Sequence, residues 1–500
     1  MGTVASSTAI TATGPIRSVV PARLDRLPWS PFHTRMVLAL GVAWVLDGLE
    51  ITIASNVADK LTTPDVLGLS TAAAGALASV YLAGEVVGAL VFGRLSDRLG
   101  RRNLFAVTLI VYFAGSAATA LTPGAGTASI AYLYATRFVA GMGIGGEYAA
   151  INSAIDELIP ARYRGRVDIA VNGTYWGGAA LAAVLQVPLL DGTVSPGLGW
   201  RVAFLIGPML GLGIILVRRN LPESPRWQLM HGRAAQAEAS IAYIEDEVRA
   251  SGRTLPEVPD EAAIVIRPSL DHGYPTLLRV LFATYPRRAI LGATLMITQS
   301  FLYNAIFFTY ATVLSTFFAV PSGQTSWYYI PFAVGNLVGP LVLGPLFDRI
   351  GRRPMISGCY LGSGLLLAIN ALLFRAGVFN AVSQTIAWCV IFFVASAGAS
   401  AAYLTVSEIF PLEVRAKAIA VFFAIAQGVG ALGPVLYGAL IDKHHPDPDK
   451  LMFGYLLGAV VMAVGGIVEL ALGVPAENRS LEDVAGLLTE TGLPTHPTDR

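Results

Sequence analysis

The chain has 500 residues, of which 54% are hydrophobic and 13% charged, and its formal net charge is +1. An average soluble domain is roughly 25% charged, so this composition, with a mean hydropathy of +0.61, excludes an ordinary soluble globule. The balanced charge offers no bulk basic excess for nucleic acid. Cys359 and Cys389 both lie in apolar stretches. They read as packing residues rather than a disulfide or a metal site.

Residues 1–35 contain no continuous apolar run ending at a small-residue cleavage site, so they are expected to form a cytosolic tail. About twelve runs then follow, each near the twenty mostly apolar residues that a membrane span needs. They lie at 36–57, 72–93, 103–122, 130–153, 167–190, 201–217, 289–314, 327–347, 355–375, 383–407, 415–441 and 452–473. Their length and their Ala, Leu, Gly and Val content favour helices over a membrane barrel. Arginines concentrate before span 1 and between spans 2 and 3, 4 and 5, 8 and 9, and 10 and 11. The positive-inside rule therefore places both termini in the cytosol, in what is expected to be the plasma (inner) membrane. The chain divides into a tail (1–35), a six-helix bundle (36–217), a cytosolic linker with short helices (218–288), a second bundle (289–473) and a tail (474–500).

GRLSDRLGRR at 93–102 returns as GPLFDRIGRR at 344–353, a shift of 251 positions. The same shift carries DELIPARYRGR onto SEIFPLEVRAK: Glu157 onto Glu408, and Arg164 onto Arg415. One offset for two separate motifs marks a duplicated six-span unit. An even span count makes the halves parallel repeats about an axis along the membrane normal. Gly93 and Gly344 would allow close helix approach. Asp97 and Asp348 would accept hydrogen bonds from helix N-termini or from arginines such as Arg101 and Arg352. Such a cluster, with Glu157, Arg164, Glu408 and Arg415, would hold the cytosolic side shut and break when the halves rock.

In these motifs the chain resembles a major facilitator superfamily transporter over nearly its full length. RFVAGMGIGG (137–146), E-x2-P-x3-R-G (157–165), PESPRW (222–227) and SEIFPLEVR (407–415) resemble its sugar porter branch. The resemblance implies an all-α membrane protein of twelve transmembrane helices in two pseudo-symmetric halves, working by alternating access around a central site.

The repeat breaks at informative places. Glu50 aligns with Phe301, Arg137 with Trp388, and Glu85 with Asn336. An intramembrane charge costs at least about 2.5–3.5 kcal/mol and is normally paired or functional, which makes Glu50 and Arg137 natural partners. In proton-coupled sugar porters, which this chain resembles, an acid and an arginine at these positions form the coupling pair; here Glu stands for the usual Asp. Asp47, one turn earlier, shares a helix face with Glu50, and DGLE (47–50) also resembles the D-G-x-D signature of aromatic acid:proton symporters. Asp47 either shares the proton or faces the external vestibule. Glu85 is open between a proton path and hydrogen-bonded packing.

Span 7, ITQSFLYNAIFFTY (297–310), carries Gln299 and Asn304 at the spacing of the sugar porters' second Gln and Asn. Tyr403 stands where that family places a tryptophan, and Ala179 where it has a sugar-binding Gln. Gln299, Asn304, Tyr310 and Tyr403, with Asn172 and Trp176 from span 5, are the expected substrate contacts. Amides and phenols suit hydroxyl or carboxylate groups, and aromatic walls suit a ring. Arg137 is a further candidate to attract an organic anion.

GMGIGG (141–146) sits mid-span with no preceding strand, so it reads as close helix packing rather than a dinucleotide loop. No nucleophile–base pair, metal site, cofactor motif or nucleotide-hydrolysis loop is readable. The expectation is a transporter rather than an enzyme, moving a small sugar-like or organic-acid metabolite, in symport with protons and functional as a monomer. A facilitator or a proton antiporter is the alternative on the same fold. A nutrient sensor would want a longer cytosolic tail than the one expected from 474.

Overall fold

The computed structural model describes residues 15–61, 66–69, 71–124, 126–190, 194–218, 222–266, 273–321, 324–411, 414–441 and 446–485. The N-terminal bundle is built from α2 (Pro31–Leu61), α3 (Thr71–Leu99), α4 (Arg101–Ala120), α5 (Thr127–Leu158), α6 (Ala161–Gly173) with α7 (Tyr175–Leu190), and α8 (Pro196–Arg218). The C-terminal bundle is built from α12 (Pro286–Phe318), α13 (Thr325–Arg349), α14 (Arg352–Arg375), α15 (Ala381–Ile409), α16 (Arg415–Gly430) with α17 (Leu432–Leu440), and α18 (Pro448–Leu472). Twelve spans result, the fifth and eleventh each made of two helices.

Among the described residues, eight helices are long and apolar enough to cross a membrane by composition alone. The remaining spans have identifiable reasons for falling outside that set. Helix α5 carries Arg137, Glu147, Asp156 and Glu157 along its length, the fifth and eleventh spans are interrupted, and the apolar part of α8 is short.

The repeat is visible in the packing. In the two halves α3 lies on α5 as α13 lies on α15, α2 on α7 as α12 on α16, and α4 on α8 as α14 on α18. Between the halves, α3 meets α16 while α13 meets α6 and α7. The second glycine of each loop motif makes the turn from one span to the next: Gly100 has φ 82° and Gly351 φ 114°, a region that L side chains rarely adopt. Side chains that face outward are large and apolar, among them Ile110, Leu365 and Val390, as a lipid-facing surface requires.

GMGIGG is a packing motif. Gly84 and Gly88 on α3 face the backbones of Phe138 and Met142, and Gly141 and Gly145 on α5 face those of Tyr81 and Glu85. Two small-x3-small stripes thus interlock and let the helix backbones touch.

The N-terminal segment, expected as a tail, is folded onto the linker. β1 (Ile16–Ser18) pairs antiparallel with β2 (Ile264–Ile266), and α1 (Val20–Asp25) lies against α10 (Ala234–Ala250) and α9 (Pro225–Met230). The linker also carries α11 (Tyr274–Arg279). A lone three-residue strand at the N-terminus gave no alternation to read; its partner lies more than two hundred residues on. Arg23 and Arg26 both reach Glu245 of α10, Arg23 at 2.9 and 2.8 Å, and Arg35 pairs with Glu247. Burial pushes the Glu245 carboxyl up, but the hydrogen bonds and charges of Arg23 and Arg26 outweigh it and hold it below the usual carboxylate range.

Two outcomes are expected. Gly141→Leu drives a side chain into the α3 backbone and lowers the melting temperature in detergent, by the equivalent of about 1–3 kcal/mol or more. Gly358→Ala, whose added methyl meets nothing within 4 Å, leaves it within about a degree or raises it. Because the Glu245 pKa is depressed in the folded state, its contribution is present above about pH 4.3 and is lost as pH falls through the lower folded value. Protection of Ile16–Ser18 against hydrogen exchange, taken relative to the intrinsic rate at each pH, is therefore expected to be high at neutral pH and to fall in Glu245→Gln at neutral pH and in the wild type on acidification.

Candidate functional site

Glu50 lies in the middle of α2, fully buried, and Arg137 of α5 is 1% exposed. The Arg137 guanidinium donates through Nη1 to Glu50 Oε1. Ser116 donates to the same oxygen and Tyr112 to Oε2, each at 2.8 Å. The pair is therefore held by two hydroxyls of α4 as well as by its own charges. The guanidinium is flanked by ring faces, with Tyr81 at 4.4 Å and Phe204 at 4.9 Å from the ring centroids. Its Nε and Nη2 make no hydrogen bond among the described residues, and those rings add to its attraction. Asp47, one turn earlier on α2, accepts from the Tyr148 hydroxyl and, at 3.4 Å, from Tyr81. The aligned partners in the other half, Phe301 and Trp388, carry no charge.

Next to this cluster, between the halves, is a cavity of about 110 Å³. Asn172, Trp176, Gln299, Asn304 and Tyr403 line it, with Trp44, Tyr148, Ser300, Tyr303 and Gln427. Trp176 packs edge-on against Phe307 and lies tilted against Tyr303, while Tyr148 and Tyr403 stack with their centroids 6.2 Å apart. The cavity thus has aromatic walls and an amide-and-hydroxyl floor.

Two expectations are corrected here. Tyr310 does not line the cavity; its hydroxyl donates to the Tyr328 carbonyl at 2.8 Å, and its ring sits against Trp388 and Phe332. One helical turn away from the lining face of α12, it faces α13 and α15 instead. Arg137 is not positioned to attract an anion in the cavity either, because Glu50 and the rings of Tyr81 and Phe204 cover it.

At the end that carries the two loop motifs the halves touch. Gly93 meets Ala420 and Gly344 meets Ile169, and these two contacts are related by the same 251-residue shift. Arg352 donates to both oxygens of Glu408 at 3.1 Å and to Asp348 at 2.6 Å. Arg164, from the other half, approaches Glu408 at 3.8 Å. Asp348 also accepts the backbone N–H of Arg166 at 2.9 Å. Asp25 of the N-terminal segment pairs with Arg226 at 3.0 Å and approaches Arg164 at 3.6 Å. Glu157 is buried, and its backbone carbonyl accepts from Arg226. Arg415 donates to the Phe410 carbonyl at 3.1 Å. The side chains of Asp97 and Arg101 lie outside the described residues.

The family described as Sugar (and other) transporter matches residues 42–487. The chain belongs to this family. The niacin transporter NiaP of Acinetobacter baylyi is 26% identical over 93% of this chain and 99% of its own length. The putative metabolite transport protein YdjK of Escherichia coli is 28% identical over 93% and 97%. Among solved structures, the proton:xylose symporter XylE bound to 6-bromo-6-deoxy-D-glucose superposes with a TM-score of 0.75 at 21% identity, over 91% of this chain and 98% of that one. The inward open conformation of XylE from E. coli gives 0.62. The protein is a multi-pass membrane transporter with the major facilitator fold.

Reading the transporter's sequence missed Gln427, Ser300, Tyr148 and Trp44 as cavity residues. Gln427 was reachable, since the repeat shift maps it onto Trp176. Tyr148 and Trp44 carried no such signal; an aromatic in a span most often packs against its own bundle.

With Cys359 and Cys389 replaced by serine, Ile169→Cys, buried in the closed contact, is expected to react slowly with a membrane-impermeant thiol reagent applied from the cytosolic side. Adding Asp348→Ala removes a charge-assisted hydrogen bond between the halves while leaving Arg352 paired with Glu408. Such a bond contributes about 1.5–3 kcal/mol, so labelling accelerates roughly ten- to hundredfold. An unchanged rate would show that this contact does not hold the halves together.

Proposed function

We propose that this transporter carries a small ring-bearing metabolite in symport with protons, and that Glu50 carries the coupling proton. The observation that supports this most is the buried Glu50–Arg137 pair, present in one half and replaced by aromatics in the other. In its charged form Glu50 holds Arg137, Tyr112 and Ser116 together, joining α2, α4 and α5. Protonation removes the charge that Arg137 answers, while the faces of Tyr81 and Phe204 still hold the guanidinium. The relative stability of the outward- and inward-facing bundles then depends on that proton. Asp47, held by Tyr148 at the cavity wall, shares in this network.

The substrate is proposed to sit in the central cavity, its ring between Trp176 and the Tyr148–Tyr403 stack, its polar substituents on Gln299, Asn304 and Asn172. Niacin and xylose, named for the relatives above, are both small rings with hydrogen-bonding substituents, and this cavity offers donors and acceptors without a lining cation. The cytosolic cluster of Arg164, Asp348, Arg352 and Glu408, flanked by Glu157 and Arg415, is proposed to act as the gate.

Purified protein in proteoliposomes with an imposed pH gradient is expected to accumulate nicotinate or D-xylose and to take up protons with it. Glu50→Gln is expected to abolish substrate-driven proton uptake while preserving counterflow exchange. Proton uptake equal to wild type in that variant would remove Glu50 from the coupling step. Trp176→Ala is expected to weaken binding roughly tenfold, within the 0.5–1.5 kcal/mol or more of an aromatic contact and its burial.

A further inference from the structure

Glu85 of α3 is 0% exposed and lies outside both the Glu50 pair and the lining of the cavity. Its Oε2 accepts from Gln427 Nε2 of α16 at 2.9 Å, a hydrogen bond that crosses from one half of the protein to the other in the membrane core. Its Oε1 has no hydrogen-bond partner among the described residues. From Gln427 the chain of bonds continues into the cavity: Ser300 donates to Gln427 Oε1 at 2.8 Å, and Asn304 Nδ2 donates to Ser300 Oγ at 3.3 Å. Gln427, Ser300 and Asn304 all line the cavity. A buried carboxyl therefore ends a run of hydrogen bonds that begins at the proposed substrate.

Charge counting points the same way. Glu85 interacts with Asp47 on α2, Arg137 and Tyr148 on α5, Tyr175 on α7, Tyr403 on α15 and Gln427 on α16, and with Tyr81 one turn earlier on α3. Glu50 and Glu147 in turn act on Asp47. Lys417 of α16 is ten residues nearer the cytosol, about 15 Å along the helix. Asp47, Glu50 and Glu85 are thus three carboxyls beside the one guanidinium of Arg137, and a site carrying all three as carboxylates in hydrocarbon is untenable. Protons must reside on this cluster.

We infer that Glu85 is a second proton-carrying group, and that Gln427 hands its charge state to the substrate cavity. This rests on the proton-coupled reading given above. An amide is the side chain suited to the task, because it donates from one end and accepts at the other. With Glu85 charged, Gln427 donates to it, and the Ser300 hydroxyl hydrogen is committed to the Gln427 carbonyl. One proton added to the Glu85 carboxylate forms an O–H bond and breaks none within the protein. The amide then turns over: Glu85 donates to Gln427 Oε1, Gln427 Nε2 donates to Ser300 Oγ, and the Ser300 hydrogen is released toward the cavity. An acceptor group on the substrate is met only in the protonated state. Loss of the proton to the cytosol restores the first arrangement. Since the Glu85–Gln427 bond joins the two halves, rocking would also make and break it.

The test uses full-length protein in lipid nanodiscs. Infrared difference spectra against pH are recorded without ligand for wild type, Glu85→Gln and Gln427→Leu. The expected result is a carboxyl band that titrates in wild type and is missing in Glu85→Gln. The side-chain amide band missing in Gln427→Leu should shift with the same midpoint. Calorimetry with nicotinate and with D-xylose supplies the second readout. Wild-type affinity for whichever probe binds should rise on acidification by up to about tenfold per pH unit, the limit for one linked proton. Gln427→Leu should flatten that dependence while keeping the titrating carboxyl band. No Glu85-dependent band at any pH, or an amide band that stays fixed while it titrates, overturns the inference. If neither probe binds, the substrate reading fails and the infrared midpoints still decide Glu85. If Glu50→Gln uncouples transport while Glu85→Gln leaves spectrum and pH dependence at wild type, the inference fails and the reading stands.

Discussion

Everything in this transporter is arranged around keeping charge in a medium that does not solvate it. A lone carboxylate or guanidinium in hydrocarbon is expensive, and a buried pair is stable only when its remaining donors and acceptors are answered. Glu50 meets that demand with Arg137, Tyr112 and Ser116, and Arg137 meets it with two ring faces. In the proposed mechanism the same scarcity of compensation gives a proton its leverage. Removing one charge from a water-filled cleft would change little; removing it from this cluster changes what three helices have to hold.

A second constraint is that the halves must meet without fusing. Within each half the helices lock through backbone-to-backbone glycine contacts, as between α3 and α5. Between the halves the contacts are of a different kind, among them the paired Gly93–Ala420 and Gly344–Ile169 approaches, the Arg164–Glu408 pair, the Arg166–Asp348 hydrogen bond and the amide bridge from Gln427 to Glu85. Interlocked glycine stripes cannot slide, whereas a few polar bonds and small-residue contacts can be made and broken. That difference is what lets each bundle move as a body around a cavity whose walls come from both.

The N-terminal segment extends this logic beyond the spans. Asp25 reaches Arg164, the residue that also faces Glu408, and β1 ties the segment to the linker that connects the bundles. Past α18, Asn478 donates to the Asp348 carbonyl and the Arg479 carbonyl accepts from Arg164. The described segments before the first span and after the last thus converge on the same cluster.

Much of this was legible in the sequence. A span must be about twenty mostly apolar residues and a duplicated motif is read by direct comparison, so the twelve runs and the 251-residue repeat were visible in the chain itself. The oddity of Glu50 and Arg137 was legible for the same reason: a charge in an apolar run is visible without coordinates. The sequence by itself therefore determined the helices, their pairing by duplication and the presence of one charged pair. Only the tertiary structure decided which face of each helix turns inward. It sent Tyr310 into the aromatic packing, covered Arg137, brought Gln427 to Glu85, and paired a strand at residue 16 with one at residue 264. Spans apolar on every side carry no strong periodicity, so the direction of a given side chain is set by which neighbour packs against it, and that is settled only when all twelve helices are in place.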